Sequence, residues 1–292
     1  MLKKRLIACL LIKDNLIVQS VGFNNYYPIG NPSFSIEFIS RWDVDEIILL
    51  DITPKSERVK RDYTQLKLFI KKCFIPITFG GGISCIEDVN EIIKSGADRI
   101  SINSNAINSP VLVEQIARIY GEQCIVTSMD YKIEKNGDKT VYSNSGTKNT
   151  GLSLLDWAKK CESLGSGEIL LNSIDRDGKG QGYDIDTIKE VSSSVNIPVI
   201  ACGGVGKFSD FSEAILKGGA SAAAAANIFH YVEHSTIIAK ANMLKSGVNI
   251  RLNKIAQYSD RKFDKNGRLI MLDNDQLEKA DWAIRDKNAI LY

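Results

Sequence analysis

The chain has 292 residues, of which 44% are hydrophobic and 25% are charged, and its formal net charge is +2. These values are typical of a globular protein with a large core, and they exclude the concentrated positive charge that marks nucleic-acid-binding domains. No apolar run approaches the roughly 20 residues of a membrane-spanning helix, and the first residues lack a signal-peptide cleavage pattern. We therefore expect a cytoplasmic protein of one or two domains that contacts neither nucleic acid nor membrane.

Six cysteines are spread along the chain without the short spacings of a zinc site: Cys9, Cys73, Cys85, Cys124, Cys161 and Cys202. The two histidines, His230 and His234, lie far from any group of cysteines. A structural zinc site needs four such ligands close together. We expect reduced thiols, no bound metal and no cofactor.

Short apolar runs rich in β-branched residues recur at residues 5–12, 45–52, 75–79, 98–103, 124–130, 167–175, 197–202 and 220–226. Segments with helical spacing separate these runs. Near-continuous apolar strands that alternate with amphipathic helices are typical of parallel βα units. Eight such units over about 250 residues predict a (β/α)8 barrel, which we assign to residues 1–253.

The clearest predicted helix is "SCIEDVNEIIKSG" at residues 84–96, in which the isoleucines and the valine fall on one face. Ser84 followed by Glu87 matches a capping box and predicts the start of the helix. Gly96 predicts its end, because a glycine adopts the left-handed conformation that commonly terminates helices.

The second half of the chain repeats the first. "IPITFGGGIS" at 75–84 matches "IPVIACGGVG" at 197–206, an offset of 122 residues. In the first strand an offset of 119 residues aligns Leu11 with Asp130. A repeat of this length indicates two half-barrels of four units each, rather than a short-period solenoid. Leu11 and Asp130 are therefore predicted to lie at equivalent positions on opposite sides of one barrel.

Residues 254–292 form a charged extension beyond the predicted barrel. The turn sequence "DKNG" at 264–267 separates two short segments and predicts a small hairpin, and residues 275–285 have helical spacing. The extension is too short to form its own core, so we expect it to pack on the barrel or on a partner.

In a (β/α)8 barrel the functional residues lie at the carboxyl ends of the strands. Gly80–Gly82 follows the third predicted strand, and Gly203 and Gly204 follow the seventh. Glycines there allow backbone N–H groups to approach an anion, although they are also compatible with simple tight turns. Two such sites at symmetric positions suit a ligand with a phosphate at each end. Asn103 and Ser104, after the fourth strand, are positioned to complete the first site.

Two carboxylates also end strands, Asp51 the second and Asp130 the fifth. A buried carboxylate is costly, so such a residue usually has a partner or a function. The polar loop at 173–184 and the loop predicted at 143–151 add further hydroxyl, amide and carboxylate groups near the same end of the barrel.

Four charged residues of alternating sign begin strands at the opposite end: Arg5, Glu46, Arg99 and Glu168. They are predicted to converge into a ring that closes the barrel floor. The ring is open to two interpretations, a structural ion network or a gate.

These motifs resemble those of the cyclase subunit of imidazole glycerol phosphate synthase. The resemblance rests on "KRLIACL", "DEIILLDIT", "GGGI", "GADRISIN", "SGTKNTG", "GEILLNSIDRDG" and "GYD", and it covers about residues 1–252. It implies a duplicated half-barrel with a separate class I glutaminase docked at the N-terminal face. Ammonia from glutamine would cross the charged ring and the barrel interior to meet a bisphosphorylated small molecule at the mouth.

The resemblance also implies residue roles. Arg5, Glu46, Arg99 and Glu168 would form the ammonia gate, with Arg99 in place of the family's usual lysine. One phosphate would be held by Gly81, Gly82, Asn103 and Ser104, and the other by Asp177, Gly178, Gly203 and Gly204. Asp130 would be one member of the family's catalytic aspartate pair.

This chain departs from the family at the other member of the pair, where Leu11 stands in place of an aspartate. Leucine cannot exchange a proton, and losing a general acid–base group costs roughly 10²–10⁴-fold in rate. Gln19 replaces a lysine expected in a flexible loop after the first strand, and Cys202 replaces a serine.

The leading hypothesis is a divergent branch of this family that accompanies a sugar amidotransferase and supplies ammonia in surface-polysaccharide synthesis. The first alternative is an active cyclase of histidine biosynthesis that forms imidazole glycerol phosphate and aminoimidazole carboxamide ribotide. The second is a non-catalytic scaffold that activates its glutaminase. None of the cysteines has a recognisable glutaminase context, so ammonia is expected to come from another chain.

Overall fold

The computed structural model describes residues 3–54, 63–230 and 235–251, together with 263–265, 267 and 270. The strands are β1 (Arg5–Lys13), β2 (Leu16–Val21), β3 (Asn25–Gly30), β4 (Glu46–Asp51), β5 (Ile77–Gly80), β6 (Arg99–Ile102), β7 (Ile125–Ile133), β8 (Lys139–Ser143), β9 (Lys148–Ser153), β10 (Glu168–Ser173), β11 (Val199–Cys202) and β12 (Ala222–Ala225).

The helices within the described residues are α1 (Pro32–Arg41), α2 (Tyr63–Ile70), α3 (Ile86–Lys94), α4 (Ser104–Asn108), α5 (Val111–Tyr120), α6 (Leu154–Ser163), α7 (Ile185–Ser194), α8 (Phe208–Leu216) and α9 (Ser235–Lys245). In this part of the chain no helix is long and apolar enough to cross a membrane.

Eight parallel strands of the described chain close into a barrel in the order β1, β4, β5, β6, β7, β10, β11 and β12, and β12 pairs with β1 again. Their bounds agree with the predicted apolar runs to within about three residues, because strands covered on both faces are apolar throughout. The predicted (β/α)8 barrel is confirmed.

Two antiparallel hairpins extend the barrel at its mouth. β2 and β3 follow β1, and β8 and β9 follow β7. The loop predicted at 143–151 is therefore wrong for most of its length, since β8 ends at Ser143 and β9 begins at Lys148. Polar side chains dominate β9, so the sequence there lacks the apolar alternation by which a strand is recognised.

The half-barrel repeat is visible in the pairing register. Leu11 pairs with Leu50 of β4 and Val18 of β2. Asp130 pairs in the same way with Asn172 of β10 and with Tyr142 of β8. The predicted equivalence of Leu11 and Asp130 is confirmed.

The start of α3 differs from the predicted capping box. Cys85 is the N-cap residue, and Asp88 rather than Glu87 accepts hydrogen bonds from the backbone N–H and Oγ of Ser84, at 2.8 and 2.9 Å. The shorter aspartate, one residue further along the helix, satisfies the N–H group of Ser84. The predicted end is correct, since Gly96 has a φ of +106°.

The barrel interior holds a compact apolar group, here called the inner cluster: Ile7, Cys9, Ile48, Val126, Leu170, Ile200, Cys202, Ala222 and Ala224. Leu11 and Leu50 pack against it from the mouth. Each fully buried Ile or Leu contributes about 1.5–3 kcal/mol to folding, so the inner cluster stabilises the closed barrel. A larger core lies between the barrel and its helices.

Phe263 is a residue of the C-terminal extension that the structure describes in contact with the barrel. Phe263 joins the outer core and lies 4.9 Å from Lys245 Nζ of α9. The N–H of Gly267 donates to the carbonyl oxygen of Asp264 at 3.0 Å, which confirms the predicted turn. The predicted helix at 275–285 lies outside the described residues.

Candidate functional site

A cavity of about 850 Å³ opens at the carboxyl ends of β1, β4, β5, β6 and β7. Leu11 and Leu50 of the first half-barrel line it with hydrocarbon, and its polar lining includes Asp51 and Asn103 of the first half-barrel and Asp130 and Asn172 of the second. A large cavity with a few convergent polar groups is the usual form of a small-molecule site. The barrel therefore places its candidate site where the sequence predicts it.

Asp130 is the most perturbed acid of this cavity. Only 7% of the residue is exposed, and Asn103 Nδ2 donates to its Oδ2 at 2.6 Å. Burial raises the pKa of Asp130 to about 7, the negative charge of Asp177 adds to the rise, and hydrogen bonds from Asn103 and Asn172 oppose it. A group with a pKa near the working pH both accepts and returns a proton, as a general acid–base residue must.

Leu11 occupies the position in the first half-barrel that corresponds to Asp130 in the second. It is half-buried, and its neighbour in β4 is Leu50. The pair covers the top of the inner cluster with hydrocarbon. At this register position the structure therefore has a titratable side chain in the second half-barrel and a leucine in the first.

The first predicted anion site is assembled in this cavity. Gly81, Gly82, Asn103 and Ser104 all line it. Gly81 has a φ of +113°, and a Cβ there would lie 2.1 Å from the carbonyl oxygen of Asp51. Only glycine fits at that position, so the loop backbone approaches the cavity more closely than any other residue would permit.

The residues of the second predicted anion site are not among those that line this cavity, and the turn of the β2–β3 hairpin contacts Asp177. Ser20 Oγ and the N–H of Phe23 donate to Asp177 Oδ2 at 2.5 and 3.2 Å. A Cβ on Gly178 would lie 2.3 Å from the carbonyl oxygen of Ser20.

Gly203 and Gly204 have φ values of +89° and +105°, and the carbonyl oxygen of Gly204 accepts from the N–H of Gly182 at 2.8 Å. These two glycines therefore lie against the loop after β10 and are not among the residues that line the cavity.

The four charged residues at the barrel floor form a closed ring. Arg5 Nη1 lies 2.9 Å from Glu46 Oε1 and 3.1 Å from Glu168 Oε1. Arg99 Nη1 lies 3.5 Å from Glu46 Oε2 and 3.2 Å from Glu168 Oε1. Burial alone would lower the pKa of Arg5, but Glu168 and Glu46 raise it overall. The ring predicted from the sequence is present, and each cation bridges both carboxylates.

Asn172 and Lys13 are among the lining residues that the sequence analysis did not name. Asn172 lies four residues after Glu168 in β10, and side chains of a strand alternate between its faces. The alternation from Glu168 through Leu170 was sufficient to place Asn172 inside the barrel. Lys13 lines the cavity two residues after Leu11, with its Nζ 5.1 Å from the ring centre of Tyr26.

Gln19 does not lie in a flexible loop, as the resemblance implied. It lies in β2 and pairs with Tyr27 of β3. The segment after β1 is therefore a hydrogen-bonded hairpin, and its tip covers the loop after β10.

Residues 5–235 match the family model described as histidine biosynthesis protein. The chain is 44% identical over 268 residues to a Vibrio vulnificus (strain YJ016) protein that carries the provisional name imidazole glycerol phosphate synthase subunit hisF2, an alignment covering 92% of this chain and 98% of the relative. It is 39% identical to imidazole glycerol phosphate synthase subunit HisF of Limosilactobacillus fermentum (strain NBRC 3956 / LMG 18251), over 88% of this chain and 99% of the relative.

HisF of Clostridium botulinum (strain 657 / Type Ba4) is 43% identical over 253 residues, 86% of this chain and all of the relative. These matches cover the barrel, the ring at its floor and the cavity at its mouth. The chain belongs to the HisF family of imidazole glycerol phosphate synthase subunits.

Proposed function

We propose that this chain is the barrel subunit of a glutamine-dependent amidotransferase, and that it conducts ammonia from a separate class I glutaminase to an acceptor in the cavity. The acceptor is a phosphorylated sugar on a route to a bacterial surface polysaccharide. Asp130 is the acid–base residue of the transfer, and no cyclisation follows.

The observation that carries this proposal is the contrast between the two ends of the barrel. All four members of the charged ring are present and in contact at the floor. At the mouth, however, Leu11 stands where the family has the second aspartate of its catalytic pair. The features that suit ammonia passage are retained, and one that the family's cyclisation uses is missing.

The barrel interior suits the passage of a small neutral molecule. The inner cluster separates the charged ring from the cavity with hydrocarbon and thiol groups. A charged species crosses such a layer at a cost of several kcal/mol, whereas neutral ammonia does not bear that cost. Ala222 and Ala224 present only methyl groups there, which leaves more room than larger side chains would.

Amination needs fewer acid–base groups than cyclisation. When the ammonia nitrogen attacks a carbonyl carbon of the sugar, the C–N bond forms as the C=O π bond breaks, which leaves a positive charge on nitrogen and a negative charge on oxygen. The Asp130 carboxylate removes one proton from the nitrogen and returns it to that oxygen, which gives a neutral carbinolamine. A carboxylate with a pKa of about 7 is suited to that step at neutral pH. The cyclase reaction cleaves a bond and closes a ring, and the family's second aspartate has no substitute at Leu11.

The raised pKa values of three buried thiols support the proposal that ammonia comes from another protein chain. Burial raises the pKa of Cys161 to about 12 and also raises the pKa of Cys73 and Cys124. A glutaminase nucleophile requires a thiolate, which forms when the thiol pKa is lowered. These three thiols are therefore poor nucleophiles, and in our proposal the glutaminase nucleophile belongs to a partner chain at the charged ring on the N-terminal face of the barrel.

A sugar acceptor with one phosphate is supported by the lining of this cavity. Gly81, Gly82, Asn103 and Ser104 line it, whereas the residues of the second predicted anion site do not, and the β2–β3 turn contacts Asp177 of that site. A ligand with one phosphate fits this arrangement better than a ligand with a phosphate at each end. The hisF2 designation of the Vibrio relative is consistent with a branch separate from the histidine-pathway enzyme.

The second candidate is an active cyclase, which the retained glycine loops and the names of the HisF relatives favour. The purified barrel and its glutaminase, supplied with either glutamine or ammonium chloride, are assayed for conversion of the bisphosphorylated cyclase substrate. The proposed function predicts glutamine hydrolysis that depends on the barrel, without formation of imidazole glycerol phosphate. Turnover within about tenfold of a HisF cyclase assayed in parallel would establish the second candidate instead.

A further inference from the structure

We propose that Lys13 is a specificity-determining residue of the cavity, and that its ammonium group binds the phosphate of the acceptor together with the Gly81–Gly82 loop. This inference rests on the proposed function. It gives β1 a part in holding the ligand, from the position two residues beyond Leu11.

The described lining of the cavity carries more negative than positive side chains. Among those residues Lys13 is the one cation, whereas Asp51 and Asp130 are acids. Burial raises the pKa of Tyr26, a further lining residue, and the negative charges of Asp177 and Asp130 add to that rise. A phosphate in this mouth is therefore repelled by carboxylates, and a cation close to it offsets the repulsion.

The strand register brings Lys13 to the level of the glycine loop. Ile12, the residue before it, pairs with Asp51 of β4. Leu50 of β4 pairs with Gly80 of β5. The next residues of β1 and of the chain after β5 therefore leave the barrel at the same level, on the two sides of β4. The spacing of neighbouring strands puts β1 and β5 about 10 Å apart. A four-carbon lysine stem and a phosphate together span such a gap.

The alternation of side chains along β1 directs Lys13 into the cavity. Leu11 packs against the inner cluster and Ile12 belongs to the outer core, so successive residues face opposite sides of the strand. Lys13 is on the same side as Leu11 and lines the cavity, as Gly81 and Gly82 do. The lysine and the glycine loop therefore border one continuous space.

The ammonium group of Lys13 is available to a ligand. Its Nζ lies 5.1 Å from the ring centre of Tyr26 and forms no ion pair with a carboxylate of the described residues. The lysine is only half-buried. A cation–π contact at such a site is weaker than a charge-assisted hydrogen bond to a phosphate. A phosphate therefore competes successfully with the ring for the ammonium group.

Lys132 in the second half-barrel provides an internal comparison. It follows Asp130 by two residues, as Lys13 follows Leu11, and its Nζ lies 4.8 Å from the ring centre of Tyr142. Both lysines are half-buried. Lys132, however, is not among the described residues that line the cavity. The two half-barrels therefore hold a lysine over a tyrosine at equivalent positions, and of the two lysines it is Lys13 that faces the candidate ligand site.

The test measures the binding of ³²P-labelled inorganic phosphate to the purified full-length chain, by equilibrium dialysis at pH 8 and constant ionic strength. We expect saturable binding to the unsubstituted chain and a loss of affinity of about tenfold or more in Lys13→Gln. Lys13→Arg keeps the charge and should retain most of the affinity. Lys13→Met keeps the length of the side chain without its charge, and it replaces the glutamine variant if that variant does not fold. Lys132→Gln is the matched control, because it removes the same charge from the equivalent position outside the cavity.

Ser104→Ala tests whether Lys13 and the glycine loop share one phosphate, because Ser104 lines the cavity together with that loop. Ser104→Ala and Lys13→Gln should weaken the same class of binding site. Two classes of site, each weakened by one of these variants, overturn the proposal. Unchanged affinity in a folded Lys13→Gln protein, an equal loss in Lys132→Gln, or no saturable binding to the unsubstituted chain also overturns it.

The binding test needs no glutaminase, so it separates this inference from the proposed function. Phosphate binding through Lys13 without glutamine-driven transfer contradicts only the proposed function. Transfer to a phosphorylated sugar with an unchanged KM in Lys13→Gln contradicts only this inference.

Discussion

Leu11 and Asp130 occupy equivalent register positions in the two half-barrels, and each pairs with the equivalent residue of the next barrel strand, Leu50 and Asn172. At this one register position, the first half-barrel therefore presents hydrocarbon to the cavity and the second presents an acid and an amide.

Replacing Leu11 with aspartate restores the second acid at the mouth. Burial beside the inner cluster makes this substitution costly, by about 2–4 kcal/mol in the free energy of unfolding. If Leu11 is the change that removed cyclisation, Leu11→Asp gains measurable conversion of the cyclase substrate. Leu11→Asn is the control, because it has nearly the same size but exchanges no proton, and it stays inactive. Equal activity in the two variants would show that the gain does not come from an acid.

Replacing Asp130 with asparagine stabilises the fold in a pH-dependent manner. The folded-state pKa of Asp130 is raised to about 7 from an ordinary value of 3.8, so the folded state binds more protons than the unfolded state between these values. The ionised group therefore destabilises the protein increasingly as pH rises from 4 to 7, with a plateau above 7.

Urea denaturation measures the resulting gain. Asp130→Asn should raise the free energy of unfolding by about 2–4 kcal/mol at pH 8 and by little at pH 4.5. A gain of the same size at both pH values is incompatible with a raised carboxyl pKa. The same variant should lose transfer activity.

Transfer activity at saturating glutamine should rise with pH through about 7, because Asp130 acts as a base only when ionised. The other titratable groups coupled to it are Asp177, Tyr26 and Cys202, and burial raises the pKa of Asp177 and Tyr26. A pH–rate profile of the glutaminase complex tests this expectation. A profile that is flat between pH 6 and 8 would exclude Asp130 as the base.

Removing Arg5 tests the ring. Arg5→Ala leaves Glu46 and Glu168 with Arg99 as their remaining ring partner, and breaking a buried ion pair costs about 3–5 kcal/mol. Arg5→Lys keeps the charge and is the control. We expect Arg5→Ala to lower glutamine-driven product formation while activity with added ammonium salt, which enters from the mouth, is retained. A pure scaffold would instead show unaltered glutamine-driven activity in a folded Arg5→Ala protein.

Replacing Gly81 with alanine should destabilise the protein more than the same change at Gly151. Both glycines have positive φ values, +113° and +71°, but a Cβ at Gly81 meets the carbonyl oxygen of Asp51 whereas Gly151 has open space around it. We expect a loss of about 1 kcal/mol for Gly151→Ala and at least 2–3 kcal/mol for Gly81→Ala. Thermal denaturation of the two variants side by side measures the difference, and equal losses would mean that the loop relaxes.

The barrel could be predicted from the sequence because its strands are buried on both faces. Each strand therefore consists of apolar residues along most of its length and is recognised as a continuous apolar run. The charged ring at the barrel floor could also be predicted, because its four charged residues lie at the starts of those apolar runs. The β8–β9 hairpin was missed since its strands are polar and rely on neighbouring backbone for pairing. The local sequence pattern does not show which neighbouring backbone a polar segment pairs with.

The two predicted anion sites also differ in a way that the local sequence does not reveal. Their glycines look equivalent in the sequence, yet only the glycines of the first site line the cavity, and Ser20 and Phe23 of the β2–β3 hairpin contact Asp177 of the second. Those contacts join residues more than 150 positions apart, so no local pattern predicts them. Asn172, by contrast, was predictable from the alternation of side chains along β10.

The most direct test of the account is the assay of the complex with the bisphosphorylated cyclase substrate and glutamine, read out as imidazole glycerol phosphate. The account predicts glutamine hydrolysis without this product, because Leu11 leaves Asp130 as the sole member of the family's aspartate pair. Formation of imidazole glycerol phosphate at a rate within about tenfold of a HisF cyclase would contradict it.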